Sequence, residues 1–425
     1  VLETVEKGLE ANATSFDIWS TGYNADTGAH SVTFNVFTFS LMSSVRLMWN
    51  DGAQFLAVLI FLLSGIWPYV KIAGVVAFFT APMGHELRGR MLWWLETLGK
   101  WSLLDVYVFS LLMAGFRLEL GLGSLAQLSV GIVTEWGIYS FAIGVLLSHA
   151  LSHWVAYLHH RVRYGEHRVH TIWRAHPGTG PTSPMRRFSS WAPPWQWLLA
   201  AGLGAALGLT LAGQLAAAFR FTFSGLAGLA LADQNVRTYS LVTAGTQIRN
   251  TLNPGVGYVV GDWFITLVYY TFALVTPLLR LLGLVVLWAA PLSIRGKQWA
   301  HELCSLLGSW SALDVFVVTA IVCNWEIEAL TTAMIEEDCQ LVEDIIGMPC
   351  LKLDAELMPG TWLMLAALVV TTALNRAVMH TYNCVVRREM HSDETQPPAA
   401  QAAPGERAPP PEAPPKAEAP EAAAG

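Results

Sequence analysis

Apolar residues gather along this chain into seven long runs, near 53–81, 92–116, 126–158, 194–219, 256–291, 299–324 and 359–383. A helix rises 1.5 Å per residue, so roughly 20 apolar residues cross a bilayer core. Several runs exceed that length, which predicts tilt or extension beyond the hydrocarbon. No long polar domain interrupts them. The pattern predicts an all-α polytopic membrane protein. One segment breaks it: Ser31 to Thr38 alternates β-branched and aromatic residues and reads as a strand, so small extracytoplasmic β elements are expected.

Composition agrees. Of 425 residues only 13% are charged and mean hydropathy is +0.42, whereas soluble domains carry about 25% charged residues. That excludes a cytosolic enzyme, a secreted disulfide scaffold and a nucleic-acid binder resting on a basic field. The 18 Trp suit interfacial belts. The net charge of −7 lies partly in a Pro/Ala/Glu-rich tail and says little about partners.

Polar stretches divide the chain into a first membrane module (1–158), a basic, His-rich cytosolic linker (159–193), a second module (194–390) and a disordered tail (391–425). Basic residues cluster at 88–100, 161–187, 295–297 and 387–388, and nine Asp/Glu fall within 326–356. The positive-inside bias therefore puts the basic segments in the cytosol and 326–356 outside. Residues 1–52 then lie outside too, with the sequon at Asn12 facing a glycosylation-competent compartment. Cys339 and Cys350 lie outside as well, where a disulfide between them is an open alternative to two free thiols.

Self-comparison finds an internal repeat. Leu98 to Val108 (LGKWSLLDVYV) returns as Leu307 to Val317 (LGSWSALDVFV), with eight of eleven positions identical and an offset of 209. Pro68 and Lys71 return as Pro277 and Arg280, and Ala81-Pro82 as Ala290-Pro291, at the same offset. The chain is thus two parallel copies of one module, with three spans in the first and four in the second. A leading span is expected before Val1.

The repeat carries ionisable residues into the membrane twice. Lys71 and Asp105 recur as Arg280 and Asp314. A charge at bilayer centre costs roughly 2.5–3.5 kcal/mol on insertion scales. Neighbouring antiparallel helices bring each pair to similar depth, which predicts Lys71–Asp105 and Arg280–Asp314 pairs or shared polar networks. Pro68 and Pro277 predict kinks that free the Ser64 and Ala273 carbonyls. The plain alternative is that these charges only fix how helices dock, since duplication copies structural contacts too.

Other polar residues give weaker signals. Glu135 reads as a snorkelling carboxylate. His149 and His153 are one turn apart, a spacing that suits a metal, but they read first as interfacial histidines of a basic segment. The five cysteines contain no C-x-x-C pair, and no nucleophile elbow, Walker loop or H-E-x-x-H motif is present. No catalytic residue, cofactor or metal is expected, nor a nucleic-acid partner.

The paired W-S-x-L-D-V-[YF]-V segments, each preceded by a Pro-x-x-[KR] span, resemble the paraquat-inducible protein A family, which includes the lipophilic envelope-spanning protein A of bacteria. The resemblance covers roughly 40–160 and 195–390. It implies two tetraspanin-like membrane modules and a part in passing lipids between membranes with a mammalian-cell-entry-type tunnel protein, drawing on the proton gradient. The family's polar network maps onto Lys71, Asp105, Arg280 and Asp314, with Ser64, Ser102 and Ser311 as further members. Bacterial members carry cytosolic Cys-x-x-Cys zinc ribbons that this chain lacks, and the tail, sequon and outer cysteines suggest a eukaryotic relative. The expected membrane is then a plasma or organelle membrane, against the inner membrane of bacterial relatives. The expected function is movement of lipids or other amphiphiles without covalent chemistry. A tetraspanin-like scaffold and a small-solute or ion transporter are the alternatives.

Overall fold

The computed structural model describes residues 16–24, 32–38, 40–115, 118–121, 126–134, 136–175, 193–231, 235–250, 259–292, 294–349 and 351–394. The sequon at Asn12, Cys350 and the chain beyond 394 lie outside the described residues, so the glycosylation, disulfide and tail expectations fall there. Seven of the described helices are long and apolar enough to cross a membrane. They are Gln54–Thr80, Glu86–Gly115, Trp136–His159, Trp195–Leu215, Trp263–Ala289, Gly296–Ala329 and Pro359–Tyr382, here the first to seventh spans. The protein is an all-α polytopic membrane protein with small sheets.

The first copy opens with strands β1 (Phe16–Asn24) and β2 (Val32–Thr38) and a short helix α1 (Leu41–Asn50). The first span is α2 (Gln54–Ile60), a π-helical turn (Phe61–Ile66) and α3 (Trp67–Thr80). The second is α4 (His85–Gly99), a 3-10 turn (Lys100–Leu103) and α5 (Leu104–Gly115). Strands β3 (Leu118–Gly121) and β4 (Ala126–Thr134) lead into α6 (Trp136–Ala175).

The second copy repeats this order. It has α7 (Pro193–Leu215), β5 (Ala217–Ser224), α8 (Gly225–Leu231), β6 (Val236–Ser240) and α9 (Leu241–Asn250). Then come α10 (Val259–Tyr270), a second π-helical turn (Thr271–Val275), α11 (Thr276–Ala289), α12 (Ile294–Trp310), α13 (Leu313–Ile346), β7 (Lys352–Leu357) and α14 (Pro359–Glu394).

Two boundaries differ from the sequence expectation. The apolar run at 126–158 begins as strand β4, which pairs antiparallel with β1 from Phe16↔Thr134 to Asn24↔Ala126. An apolar stretch bounded by turn residues serves strand or helix equally, and only the pairing partner decides. At its other end α6 runs on to Ala175 through half of the expected linker, since no proline interrupts the chain until Pro177.

The sheets show that the duplication reaches further than one register reveals. Their strand orders are β2-β1-β4-β3 and β6-β5-β7, so β1, β2 and β4 correspond to β5, β6 and β7. Ser40 caps α1 and Ser240 caps α9 through the same reciprocal bonds, to Ser43 and Thr243 respectively. The first and fifth spans match at 209 residues, end for end. The capping serines lie 200 residues apart, and the starts of α6 and α14, Trp136 and Pro359, lie 223 apart. The longer link between α9 and α10, and the extension of α13 to Ile346 where the first copy has β3 and its flanking segments, account for the shifts.

The two copies pack face to face through their second and sixth spans. Every residue of α5 except Asp105 is buried. Tyr107 meets Phe316, its own counterpart 209 residues on, at a ring-centroid distance of 5.8 Å. A residue touching its own equivalent marks an isologous contact. The copies are therefore related by a pseudo-two-fold axis passing beside this pair, as parallel repeats require.

Candidate functional site: charged residues at two broken spans

Both central spans break at the repeated W-S-x-L-D motif. In the second span the α-helix stops at Gly99, tightens into a 3-10 turn and restarts at Leu104. In the sixth it stops at Trp310 and restarts at Leu313. Each restart places an aspartate, Asp105 or Asp314, in the first turn. A carboxylate there faces amides that lack intrahelical partners and the positive end of the helix dipole. Broken backbone within a membrane is tolerated where protein or a cavity surrounds it.

Charges from both copies converge on these breaks. Lys100 Nζ lies 2.6 Å from Asp314 Oδ2 and donates to the Ser311 carbonyl at 3.2 Å. Lys71, only 1% exposed, reaches His149 Nδ1 at 3.2 Å, and His149 Nε2 lies 3.0 Å from the Ser309 carbonyl. A carbonyl only accepts, so Nε2 carries the ring proton and Nδ1 accepts from the Lys71 ammonium. The His149 ring meets Trp310 edge-on at 4.8 Å, and Trp310 stacks on Phe272 at 5.3 Å. One turn along α6, His153 Nδ1 contacts Glu96 Oε1 at 2.5 Å.

Two glycines make room. A Cβ on Gly99 would sit 2.4 Å from Lys71 Nζ and 2.7 Å from His149 Nδ1; a Cβ on Gly308 would sit 3.2 Å from Arg280 Nε. Gly99 and Gly308 are themselves repeat counterparts, so each copy seats its basic side chain against a glycine.

Lys71 thus pairs with His149, and Asp314 pairs with Lys100. Among the described residues Asp105 makes no hydrogen bond or ion pair. Arg280 feels the Asp314 charge without bonding to it, and its Nε is buried with no hydrogen-bond partner. Pairing within one copy overlooked two things. A further helix of the same copy supplies His149, and the pseudo-two-fold brings Lys100 across to the other copy's break. The Ser311 carbonyl takes part, whereas the Ser64 and Ser102 hydroxyls are buried without hydrogen-bond partners.

Pro68 and Pro277 each follow a π-helical turn, where the Trp67 and Thr276 amides bond five residues back to Leu62 and Thr271. Ala273, whose helical donor Pro277 removes, is served by Gln214 Nε2 of α7 at 3.3 Å, which reaches the Leu274 carbonyl at the same distance. Sequence reading did not single out Lys100, Glu96, Gln214 or the two glycines. The available signal for Lys100 was its place as one of three differences within an otherwise identical motif. Among the described residues no group of three His, Cys, Asp or Glu is arranged to hold a metal.

Fold and site define a duplicated, multi-pass integral membrane protein whose copies meet at broken, charge-bearing spans. A model of the paraquat-inducible protein A family matches residues 30–157 and 229–338, more than half the chain and one segment in each copy. The chain belongs to that family. Neither a curated protein nor a solved structure matches it.

Proposed function

We propose that this protein helps move lipids or other amphiphiles across or between membranes, without covalent chemistry. The observation that carries the reading is the pair of interrupted spans with Lys100–Asp314 and Lys71–His149 at the breaks. Discontinuous helices with unwound backbone are where membrane carriers place their substrate and coupling-ion sites. Ionisable side chains held inside a membrane at an energetic cost are functional candidates by default. Protonation of the network at the breaks would couple the two copies to movement. A mammalian-cell-entry-type tunnel protein or another membrane partner would receive the lipid.

Asp314→Asn tests this. In proteoliposomes the variant is expected to keep its size-exclusion profile and to lose most transfer of labelled lipid to acceptor vesicles. Transfer at the wild-type rate would end the reading. A second reading, a membrane scaffold, is favoured by the direct Lys100–Asp314 bridge between copies, which is what a clamp requires. A scaffold variant would lose thermal stability while any lipid transfer stayed as in the wild type.

A further inference from the structure

The two copies are not equal at the position of the buried base. The third and seventh spans correspond at an offset of 223 and the other pairs at 209. The packing confirms both registers, since the cluster holding Val75 and Val155 matches the cluster holding Leu284 and Val378. Under these registers Lys71, Glu96, Gly99, His149 and His153 correspond to Arg280, Ser305, Gly308, Thr372 and Arg376.

Three contrasts follow. The first concerns charge. In the first copy Glu96 acts on Lys71 and His149 bonds it. In the second, the Glu96 position holds serine, and the His153 position holds a second arginine. The carboxylate that acts on Arg280, Asp314, is engaged by Lys100. Asp314 and Cys304 are the titratable groups acting on Arg280, and neither bonds it.

The second contrast concerns access. Lys71, Gly99 and His149 are buried, whereas Arg280 and Gly308 are half-buried and Ser305, Thr372 and Arg376 are exposed. Helix α6 lies along α3 and α4, but α14 packs chiefly on α7. Val378 and Tyr382 of the seventh span pack on α11 and α12 at one end, but around Arg280 this span covers its neighbours less than the third span covers Lys71. The third contrast is an orphan: Arg280 Nε is buried without a partner, with the guanidinium laid against Gly308.

We infer that this less covered region between α11, α12 and α14 binds the anionic head group of an amphiphile, a phosphate-type oxyanion held by Arg280 with Arg376 and the hydroxyls of Ser305 and Thr372. A guanidinium presents a planar fork of donors that matches such an oxyanion in two parallel hydrogen bonds, which a lysine at this position does not. Thr372 and Arg376, four residues apart on one helix, share a face. The apolar side chains exposed on the same helices, among them Leu279 of α11 and Val369 of α14, suit an acyl chain rather than a free ion. The inference rests on the proposed lipid movement and names its substrate class.

The test is lipid retention by the full chain. Protein from nanodiscs of phosphatidylcholine with a minor share of phosphatidic acid is purified in mild detergent, and its bound lipid is identified by mass spectrometry. Wild type is expected to enrich phosphatidic acid about tenfold over the bulk mixture, the weight of one charge-assisted hydrogen bond. Arg280→Gln is expected to abolish the enrichment and Arg280→Lys to keep part of it. Arg376→Gln, at an exposed position safe for folding, is expected to reduce it. Absence of enrichment in wild type, or equal enrichment in all variants, overturns the inference. Arg280-dependent binding of inorganic phosphate by the delipidated protein, together with no enrichment of phosphatidic acid, assigns the site to a free ion and overturns it too. Lipid transfer by the same preparations separates the two readings. Transfer without enrichment leaves the function standing and removes this site; enrichment without transfer does the reverse.

Discussion

A missing methyl group decides what fits at each break. Gly99 sits where a Cβ would press on the Lys71 ammonium and the His149 ring, and all three are buried, so nothing can retreat. Gly308 faces the half-buried, flexible end of Arg280 at a distance that small adjustments relieve. Gly99→Ala is therefore expected to lower stability by about 1–3 kcal/mol, the usual cost of overpacking. Gly308→Ala is expected to be near neutral, because a gain in helix propensity of about 1 kcal/mol offsets a small shift of the guanidinium. Thermal melts of the two variants in detergent compare them directly, and equal losses would contradict the asymmetry.

Elements here are shaped by where their backbone groups find partners. Proline at 277 removes a donor, the helix answers with a π-helical turn, and Gln214 from α7 serves the Ala273 and Leu274 carbonyls. Glu326 does the opposite task, accepting from the Phe55 and Leu56 amides at 3.1 and 2.7 Å where α2 begins without a side-chain cap of its own. Gln214→Leu is expected to cost about 1–3 kcal/mol by stranding buried acceptors. Combined with Pro277→Ala, which restores a helical donor to Ala273, the loss is expected to shrink. A double-mutant cycle read by thermal unfolding measures this, and strictly additive losses would refute the shared carbonyl.

Among the described residues, polar contacts join the copies at the start of α2 and again at the breaks. Glu326 caps α2, Lys100 meets Asp314, and His149 reaches the Ser309 carbonyl. Between these levels the aromatic cluster of Tyr107, Tyr269 and Phe316 fills the axis. Breaking an ion pair in such a setting strands the partner, whereas replacing both members by apolar residues does not. Lys100→Met is expected to cost about 1–3 kcal/mol, discounted for the partial exposure of Asp314. The double variant Lys100→Met with Asp314→Leu is expected to recover much of that loss in a detergent melt. A double variant no more stable than Lys100→Met would count against a bonded pair.

The sequence by itself determined the spans, the duplication, the prolines that interrupt the helical bonding and the repeated aspartates within the central spans. These follow from hydropathy, from a repeated motif and from missing donors, all local properties of the chain. It also carried the strand at 32–38, because alternation is local. Tertiary structure alone decided who bonds whom. Lys71 turned to His149 and Lys100 crossed to Asp314, because a pseudo-two-fold axis creates neighbours that no spacing along the chain encodes. The matching sheets and caps stayed hidden for a related reason. Insertions between elements changed the register from 200 to 209 to 223, and a gap-free comparison follows a single offset, whereas strand pairing and helix packing do not depend on it.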